Sequence, residues 1–202
     1  VNAADAVVTI SPPMQSYYAG MRPDVGCILN GFDHEVLDAA RNAASPRQDG
    51  LVYIRYMGIV SPGRVPHNLM QALVRLEQEN PTGFAKLRLE FYGNAALIGE
   101  AVANKYPSIV AAFSYHTAVP YVRSLQLIVE ADYALFSETS SKASISAQGI
   151  LTTKLFEYIG SGRPILADIS AETLAGSVLK QSNPRHVVGN TPEVFLEAMR
   201  QP

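Results

Sequence analysis

The sequence alternates short apolar runs with segments of helical periodicity, and this alternation constrains the fold more than any other feature. Residues 51–57 form an apolar run that stops at Gly58. In the segment that follows, Leu69, Leu73 and Leu76 recur at the spacing of one helix face. Because strands separated by one helix each need crossover connections, the pattern indicates a parallel sheet. The sequence therefore predicts an α/β fold, a doubly wound parallel sheet with helices on both faces.

The same reasoning places each element along the chain. The predicted strands are residues 6–10, 25–29, 51–57, 87–92, 109–113, 133–136, 165–167 and 186–188. The predicted helices are residues 14–18, 33–44, 67–79, 95–105, 121–130, 152–161 and 171–180, with a last helix that begins at Thr191-Pro192. Residues 45–50 read as a linker, and residues 137–149 read as a polar loop of small side chains.

Composition excludes several classes of protein. The 202 residues include 48% apolar and 17% charged side chains and carry a net charge of −2. A nucleic-acid partner is not expected, because such proteins concentrate Lys and Arg. No apolar run approaches the roughly 18 residues of a membrane span. The single cysteine, Cys27, excludes an internal disulfide and fits a reducing compartment, so we expect a cytoplasmic location. The four scattered histidines predict no metal site.

A turn that contains glycine and arginine lies at the edge where ligands bind in such folds, beyond the carboxyl ends of the strands. Residues 58–64 connect the 51–57 strand to the next helix and include Gly58 and Arg64. Backbone N–H groups at a helix start bind phosphate, and Arg64 would add a charge-assisted hydrogen bond. The alternative is an ordinary turn with a solvated arginine, and these residues alone leave both interpretations open.

A second candidate is the start of the 152–161 helix. Lys154 and Glu157 stand three residues apart and therefore share a helix face. A cation beside helix N–H groups suits phosphate, and a carboxylate suits the paired hydroxyls of a sugar, because it accepts two hydrogen bonds. The alternative is a surface ion pair worth a few tenths of a kcal/mol.

Residues 154–165 read Lys-Leu-Phe-Glu-Tyr-Ile-Gly-Ser-Gly-Arg-Pro-Ile. This segment resembles the signature helix of the group 1 (family 4-like) retaining glycosyltransferases of the GT-B fold, which commonly reads Lys-Leu-Phe-Glu-Tyr-Met-Ala-x-Gly-Lys/Arg-Pro-Val/Ile. Three further segments agree with that family in order. Residues 4–11 resemble the Ala-Asp-x-Val-x-x-x-Ser strand of that family, and residues 28–33 its Pro-Asn-Gly-Val-Asp turn. Residues 56–58 resemble its Tyr-x-Gly-Arg segment. Together the four matches span nearly the whole chain.

The resemblance implies a Rossmann-like sheet that forms the C-terminal, donor-binding half of a GT-B enzyme. Residues 1–45 would be the end of the N-terminal acceptor domain with the hinge, and residues 46–202 the nucleotide-sugar-binding domain. The implied enzyme is a retaining hexosyltransferase of polysaccharide biosynthesis. It transfers a sugar from a nucleotide-diphosphate sugar to a glycan or lipid-linked acceptor, without a cofactor or metal. The acceptor would bind a domain missing here, so the fragment is expected to be inactive. The full-length enzyme is expected to be cytoplasmic, with peripheral membrane association as one implied option.

The resemblance also implies roles for individual residues. Glu157 would bind the ribose hydroxyls of the donor, and Lys154 and Thr153 would lie near the diphosphate or the sugar. The loop after the predicted 109–113 strand would lie near the base. No residue of the fragment is assigned a catalytic role. The predicted donor-binding residues are Glu157, Lys154, Thr153, Gly58, Arg64, Tyr115, His116, Ser137 and Glu138.

Two positions depart from the family pattern. Gly149 stands eight residues before Glu157, where the family often has a glutamate that touches the donor sugar, and Ile59 stands where arginine is usual. Glu138 would replace the glutamate only if the intervening loop folds back, and Arg64 is the nearby cation that would replace the arginine. Two other functions therefore stay open: a sugar-nucleotide epimerase of related fold, and a non-catalytic interaction domain that has lost donor binding.

Overall fold

Two parallel sheets organise the chain. The computed structural model describes residues 1, 3–45, 47–138 and 149–200. The strands in chain order are β1 (Val7–Thr9), β2 (Val25–Cys27), β3 (Val52–Met57), β4 (Leu87–Tyr92), β5 (Phe113–His116), β6 (Tyr133–Ser137), β7 (Ile165–Asp168) and β8 (Val187–Gly189). β1 and β2 pair with each other, and the other strands form one sheet in the order β5-β4-β3-β6-β7-β8. Every described pairing is parallel, as the crossover argument predicts.

Helices connect these strands. In chain order they are α1 (Pro12–Ala19), α2 (His34–Ala43), α3 (His67–Glu79), α4 (Pro81–Phe84), α5 (Ala96–Lys105), α6 (Tyr121–Glu130), α7 (Thr153–Ser161), α8 (Leu174–Ser182) and α9 (Pro192–Arg200). Two short 3₁₀ turns cover Pro62–Arg64 and Pro107–Ala112. No helix in the described part of the chain has the length and apolar character needed to cross a membrane.

Helices cover both faces of the large sheet, so the predicted doubly wound architecture is confirmed. One apolar layer joins β3 and β4 to α3, α5 and α9, with Leu69, Ile98 and Phe195 fully buried. The other layer joins β6 and β7 to α6, α7 and α8, with Leu155 and Leu179 fully buried. Both faces of β6 and β7 therefore contact apolar side chains, which explains why these strands are continuous apolar runs rather than alternating ones.

One predicted strand is wrong. Residues 109–113 were expected to form a strand, but Pro107–Ala112 is a 3₁₀ turn and β5 begins only at Phe113. Ile109 and Ala112 are buried three residues apart, while Val110 is 53% exposed. That spacing suits a 3₁₀ turn, in which residues i and i+3 lie on the same side. As a result Tyr115 and His116 end an edge strand instead of lying in a loop after it.

The remaining boundaries agree with the predictions to within a few residues. α8 starts at Leu174 rather than at residue 171, because Thr173 caps it by accepting a hydrogen bond from the Gly176 N–H at 3.1 Å. The short helix α4 was not predicted. Residue 46 of the predicted linker and residues 139–148 of the predicted polar loop lie outside the described residues.

The amino-terminal segment packs onto the large sheet through α2. Leu37 and Ala40 form a buried cluster with Leu125 and Val129 of α6. A Cβ on Gly160 of α7 would lie 2.7 Å from a Leu37 methyl carbon, so the glycine permits this close approach. The predicted domain boundary between residues 45 and 46 stays a prediction.

Candidate functional site

Two neighbouring glycines, Gly58 and Gly93, lie at the carboxyl edge of the sheet, and we call this pair the glycine step. Gly58 follows β3 with φ 110°, and Gly93 follows β4 with φ 121°. Both values favour glycine, because a Cβ clashes with the backbone at positive φ. A Cβ on Gly93 would lie 2.6 Å from the Gly58 carbonyl oxygen. The Gly58 N–H donates to the Tyr92 carbonyl at 2.8 Å, so strand pairing continues through the step.

The Lys154 ammonium group lies directly beside this step. Lys154 is in the first turn of α7, and its Nζ is 3.9 Å from the centroid of the Tyr56 ring. The same Nζ is 3.4 Å from the position that a Cβ on Gly58 would occupy. Burial lowers the pKa of Lys154 to about 8, and the Arg64 charge contributes in the same direction, while Glu138 and Glu157 oppose the shift. The aromatic face partly compensates the lost hydration of the ammonium.

The ring of Tyr56 packs against the ammonium group of Lys154. Its ring is 1% exposed, and its hydroxyl donates to the Ile59 carbonyl at 3.0 Å. Burial raises the pKa of Tyr56 to about 12, so the hydroxyl stays protonated at neutral pH. A neutral, fixed ring beside Gly58 holds Lys154 at the sheet edge.

Arg64 and Glu138 form an ion pair in the same region. Arg64 Nη2 is 2.8 Å from Glu138 Oε2, and the two side chains are 27% and 12% exposed. The other carboxylate oxygen, Oε1, is buried and has no hydrogen-bond partner among the residues that the structure describes. Burial raises the pKa of Glu138, while Arg64 and Lys154 act against that rise. The structure thus brings the separately predicted Arg64, Glu138 and Lys154 into one electrostatic cluster.

The start of α7 differs from the start of α3. Asp168, at the end of β7, accepts hydrogen bonds from the N–H groups of Asn68 (2.9 Å) and Leu69 (3.2 Å), so a carboxylate of the chain itself caps α3. The Thr152 side chain makes no capping hydrogen bond to α7, and its Oγ1 is buried without a partner in the described part of the chain. Asp168 therefore occupies the start of α3, the helix after the Gly58–Arg64 turn, and leaves no place there for an added anion. The start of α7, in contrast, has no side-chain cap from Thr152.

Glu157 lies one turn further along α7. Tyr121, at the start of α6, interacts with it: burial raises the pKa of the Tyr121 hydroxyl, and the Glu157 carboxylate adds to that rise. The next residue, Tyr158, fixes the helix to the sheet, because its buried hydroxyl accepts a hydrogen bond from the Met57 N–H at 2.9 Å. Lys154 and Glu157 are thus carried by a helix whose position relative to β3 is fixed.

An open cleft of about 590 Å³ begins on the other side of Gly93. Its lining includes Gly93 and Gly99 and the predicted residues Tyr115 and His116. The His116 ring stacks on Tyr92 with centroids 4.5 Å apart. The cleft, the glycine step and Lys154 therefore follow one another along the sheet edge.

The structure places the other predicted residues at the same edge with different surroundings. Thr153 is exposed at the first turn of α7, and Ser137 is buried at the end of β6. Gly149 packs against the amino-terminal segment: a Cβ there would lie 2.9 Å from Met14 Cγ and 3.0 Å from Ser11 Oγ. A side chain at position 149 would therefore require the Met14 side chain to shift. Among the described residues, no group of three or more metal-ligating side chains is close enough to hold an ion.

Sequence reasoning missed three residues of this edge. Tyr56, Tyr121 and Asp168 were not among the predicted site residues. A signal existed for Tyr56, which stands two residues before Gly58, and for Asp168, a carboxylate directly after an apolar run. The contact between Tyr121 and Glu157 crosses 36 positions of sequence, and no local pattern indicates it.

Comparison with known proteins now adds the class of fold. No protein-family model and no curated protein sequence matches the chain. Among solved structures, the chain is similar to a UDP-forming α,α-trehalose-phosphate synthase from Burkholderia xenovorans, with a TM-score of 0.69 and 12% identity, over 98% of this chain and 53% of that one. It is also similar to a mutant of S. aureus TarM in complex with UDP, fondaparinux and α-GlcNAc-glycerol, with a TM-score of 0.65 and 10% identity, over 99% and 38% of the two chains.

A third likeness is to WaaG, a glycosyltransferase involved in lipopolysaccharide biosynthesis, with a TM-score of 0.61 and 13% identity, over 96% of this chain and 53% of that one. At these identities the comparisons show the fold alone: the chain has a Rossmann-like α/β fold of the kind that forms one half of the GT-B fold. The chain spans about half the length, or less, of these three structures.

Proposed function

We propose that this chain is the donor-binding part of a glycosyltransferase and that it binds a nucleotide-diphosphate sugar at the carboxyl edge of its large sheet. The observation that carries the proposal is the position of Lys154. Its ammonium lies between the Tyr56 ring and Gly58, at the start of a helix whose Thr152 side chain makes no capping bond. A desolvated cation beside helix N–H groups favours a bound anion. We therefore assign the diphosphate to this place.

The order of groups along the sheet edge suggests where the ribose and the base of the donor would bind. Glu157, one turn from Lys154, would accept hydrogen bonds from the two ribose hydroxyls, since a carboxylate provides two acceptor oxygens. The base would enter the cleft beside Tyr115 and His116. Gly58 and Gly93 support this arrangement, because a Cβ at Gly93 would collide with the chain at the step that joins the cleft to Lys154.

The finer assignments follow from the sequence resemblance. We infer a retaining hexosyltransferase that acts on a glycan or lipid-linked acceptor in polysaccharide biosynthesis, without a cofactor or metal. The acceptor would bind a further domain, of which residues 1–45 would be the end together with the hinge. The chain alone is therefore expected to bind donor but not to transfer sugar. A cytoplasmic enzyme, with peripheral membrane association as one option, fits such an acceptor.

Calorimetric titration of the 202-residue chain with UDP, GDP and ADP tests the donor site. We expect one of these nucleotides to bind with measurable heat, and Glu157→Ala to weaken that binding at least tenfold through loss of the ribose contact. Glu197→Ala, which changes an exposed glutamate of α9, is the matched control and should bind like the wild type. Absence of heat with all three nucleotides in a folded sample would refute the site.

The same experiment addresses the interaction-domain alternative, which Ile59 and Gly149 favour. Such a domain would have lost the contact between Glu157 and the nucleotide. An affinity that Glu157→Ala leaves unchanged would therefore support this alternative over the proposed function.

A further inference from the structure

We infer that the amino edge of the large sheet holds a second binding site, separate from the donor site, for a small soluble molecule that carries a phosphomonoester group. A cavity of about 700 Å³ opens at that edge, and this volume lies within the range of small-molecule sites. Its lining includes Leu51, Asp132, Arg163 and Arg185, which stand one or two positions before β3, β6, β7 and β8. Because these neighbouring strands are parallel, the lining residues meet at one edge. The six residues of β3 span about 20 Å and separate the cavity from Gly58.

Four guanidinium groups and three carboxylates line this cavity. They belong to Arg41, Arg47, Arg163 and Arg185 and to Asp49, Glu130 and Asp132. Arg41 is already engaged, because it donates to Asp38 and to the Gly160 carbonyl near the end of α7. The last carbonyls of a helix carry partial negative charge, so this contact neutralises the helix end. Arg41 therefore adds little free charge to the cavity.

Two of the carboxylates are also engaged. Glu130 is 3.5 Å from Arg55 of β3 and 3.4 Å from Arg123 of α6, so two arginines share its charge. The Asp49 carboxylate accepts a hydrogen bond from the Tyr53 hydroxyl at 3.0 Å. These partners leave the remaining arginines of the wall in excess.

Arg163 and Arg185 are the two cations of the cavity that have no carboxylate of their own. Neither side chain makes a hydrogen bond or ion pair with another described residue, although each backbone N–H does. The segments that carry them adjoin, because the Ile165 N–H donates to His186 Nδ1 at 3.1 Å. Two unpaired guanidinium groups on adjoining segments repel each other, and an anion bound between them would remove that repulsion.

Arg47 adds a third positive charge to the same wall. Its Nη2 donates to Asp132 Oδ2 at 2.7 Å, and its guanidinium carbon is 3.8 Å from the centroid of the Tyr53 ring. Its Nε and Nη1 are buried and have no hydrogen-bond partner among the described residues. Because a guanidinium stays protonated in proteins, N–H groups without an acceptor are costly. This cost favours an anion at the wall.

Phosphate is the group that suits this wall. Guanidinium groups are planar donors that match phosphate oxygens, and a phosphomonoester carries up to two negative charges. The cavity has room for more than a phosphate, and Ser45 and Asp49 in its lining can hydrogen-bond hydroxyl groups. Among the described residues, no large apolar side chain with an exposed surface lines the cavity, whereas a lipid-bound face buries such side chains. We therefore assign a soluble, hydroxyl-bearing phosphomonoester to this site.

Calorimetric titration of the 202-residue chain with glucose 6-phosphate, glycerol 3-phosphate and inorganic phosphate tests the site, with glucose as the uncharged control. We expect at least one of the two phosphomonoesters to bind at a single site and glucose to give no heat. Arg163→Gln and Arg185→Gln should each weaken that binding about tenfold or more, because each removes one charge-assisted contact. Arg75→Gln, which changes a 46% exposed arginine of α3, is the matched control and should bind like the wild type. Arg185 is exposed, so Arg185→Gln tests the contact even if Arg163→Gln lowers the Tm.

The Lys154→Met variant separates this site from the donor site. Binding of the phosphomonoester should survive this substitution, and its loss would place the probe at the donor site and overturn the inference. Absence of binding by both phosphomonoesters at millimolar concentration would also overturn it, as would an affinity that Arg163→Gln and Arg185→Gln leave unchanged. Vesicles of phosphatidylcholine that contain phosphatidic acid provide the lipid comparison. Binding to these vesicles without binding of a soluble probe would identify a lipid headgroup as the source of the phosphate and refute the soluble ligand.

Discussion

Replacing Lys154 by methionine should stabilise the protein while weakening nucleotide binding. The pKa of this lysine falls from 10.5 to about 8, chiefly because its ammonium is desolvated. At about 1.36 kcal/mol for each pKa unit, the charged form costs the folded chain about 3 kcal/mol relative to the unfolded chain. The cation–π contact with Tyr56 recovers on the order of 1 kcal/mol. Methionine fills a similar volume and contacts the ring through sulfur, so Lys154→Met should gain about 2 kcal/mol at pH 7.

The pH dependence of this gain follows from proton linkage. Between pH 8 and pH 10.5 the unfolded chain holds the Lys154 proton more often than the folded chain does. The wild type therefore gains stability as pH rises through that window, whereas Lys154→Met does not. The advantage of the variant is full below pH 8 and should shrink by up to 1.4 kcal/mol for each pH unit above it.

Thermal and denaturant unfolding from pH 6.5 to pH 9.5 measures both effects. A gain of about 2 kcal/mol corresponds to a rise in Tm of about 4–8 °C for a chain of this size. Lys180→Met is the matched control, because Lys180 is exposed at the end of α8, and it should change the free energy of unfolding by less than about 0.5 kcal/mol.

Nucleotide binding should move in the opposite direction. Loss of a charge-assisted contact to phosphate should weaken the bound nucleoside diphosphate by about ten- to a hundredfold. In the wild type, affinity should fall as pH rises above about 8, because the anion binds the protonated lysine. If Lys154→Met is less stable than the wild type at pH 7, the ammonium is not desolvated as described. A stabilised variant that binds nucleotide as well as the wild type would refute the phosphate contact.

Further predictions concern the sheet edge itself. Gly93→Ala should lower the free energy of unfolding by about 3 kcal/mol, because its φ is positive and its Cβ would lie 2.6 Å from the Gly58 carbonyl oxygen. Gly58→Ala should lower it by only about 1–2 kcal/mol, and equal losses in denaturant titrations would contradict this. Tyr158→Phe should lower the free energy of unfolding by about 1–3 kcal/mol and speed amide hydrogen exchange at Met57, because the Met57 N–H loses its acceptor. Unchanged exchange at Met57 would argue against this hydrogen bond. Asp168→Ala should cost about 2 kcal/mol and Asp168→Asn less, because asparagine keeps an oxygen for the start of α3; equal Tm values for the two variants would contradict the capping role.

Local periodicity was enough to predict most of the fold. The bounds of α3, β4 and α6 agree with the predicted ones, because each has a clear spacing of buried residues and a distinct end. The segment 109–113 failed because a short apolar run fits both a strand and a 3₁₀ turn, and only the burial of Ile109 and Ala112 distinguishes them.

The candidate site was predictable only where its residues are neighbours in sequence. Lys154 and Glu157 stand on one helix turn, and their spacing alone puts them on one face. The ion pair between Arg64 and Glu138 joins residues 74 positions apart, so it depends on β3 and β6 being adjacent in the sheet. The Tyr56 ring below Lys154 depends on the same packing of α7 against β3.

The two departures from the family pattern, Ile59 and Gly149, lie at a sheet edge that carries charged groups from other elements. Ile59, which stands in place of the usual arginine, is 67% exposed, and the space above Gly58 is occupied by Lys154 from α7. A cation on a helix that Tyr158 ties to β3 is held more rigidly than one on a turn. Arg64 is a second cation at this edge and pairs with Glu138, whereas Gly149 has no side chain. Lys154 and Glu138 therefore place a cation and a carboxylate at this edge, although positions 59 and 149 carry neither.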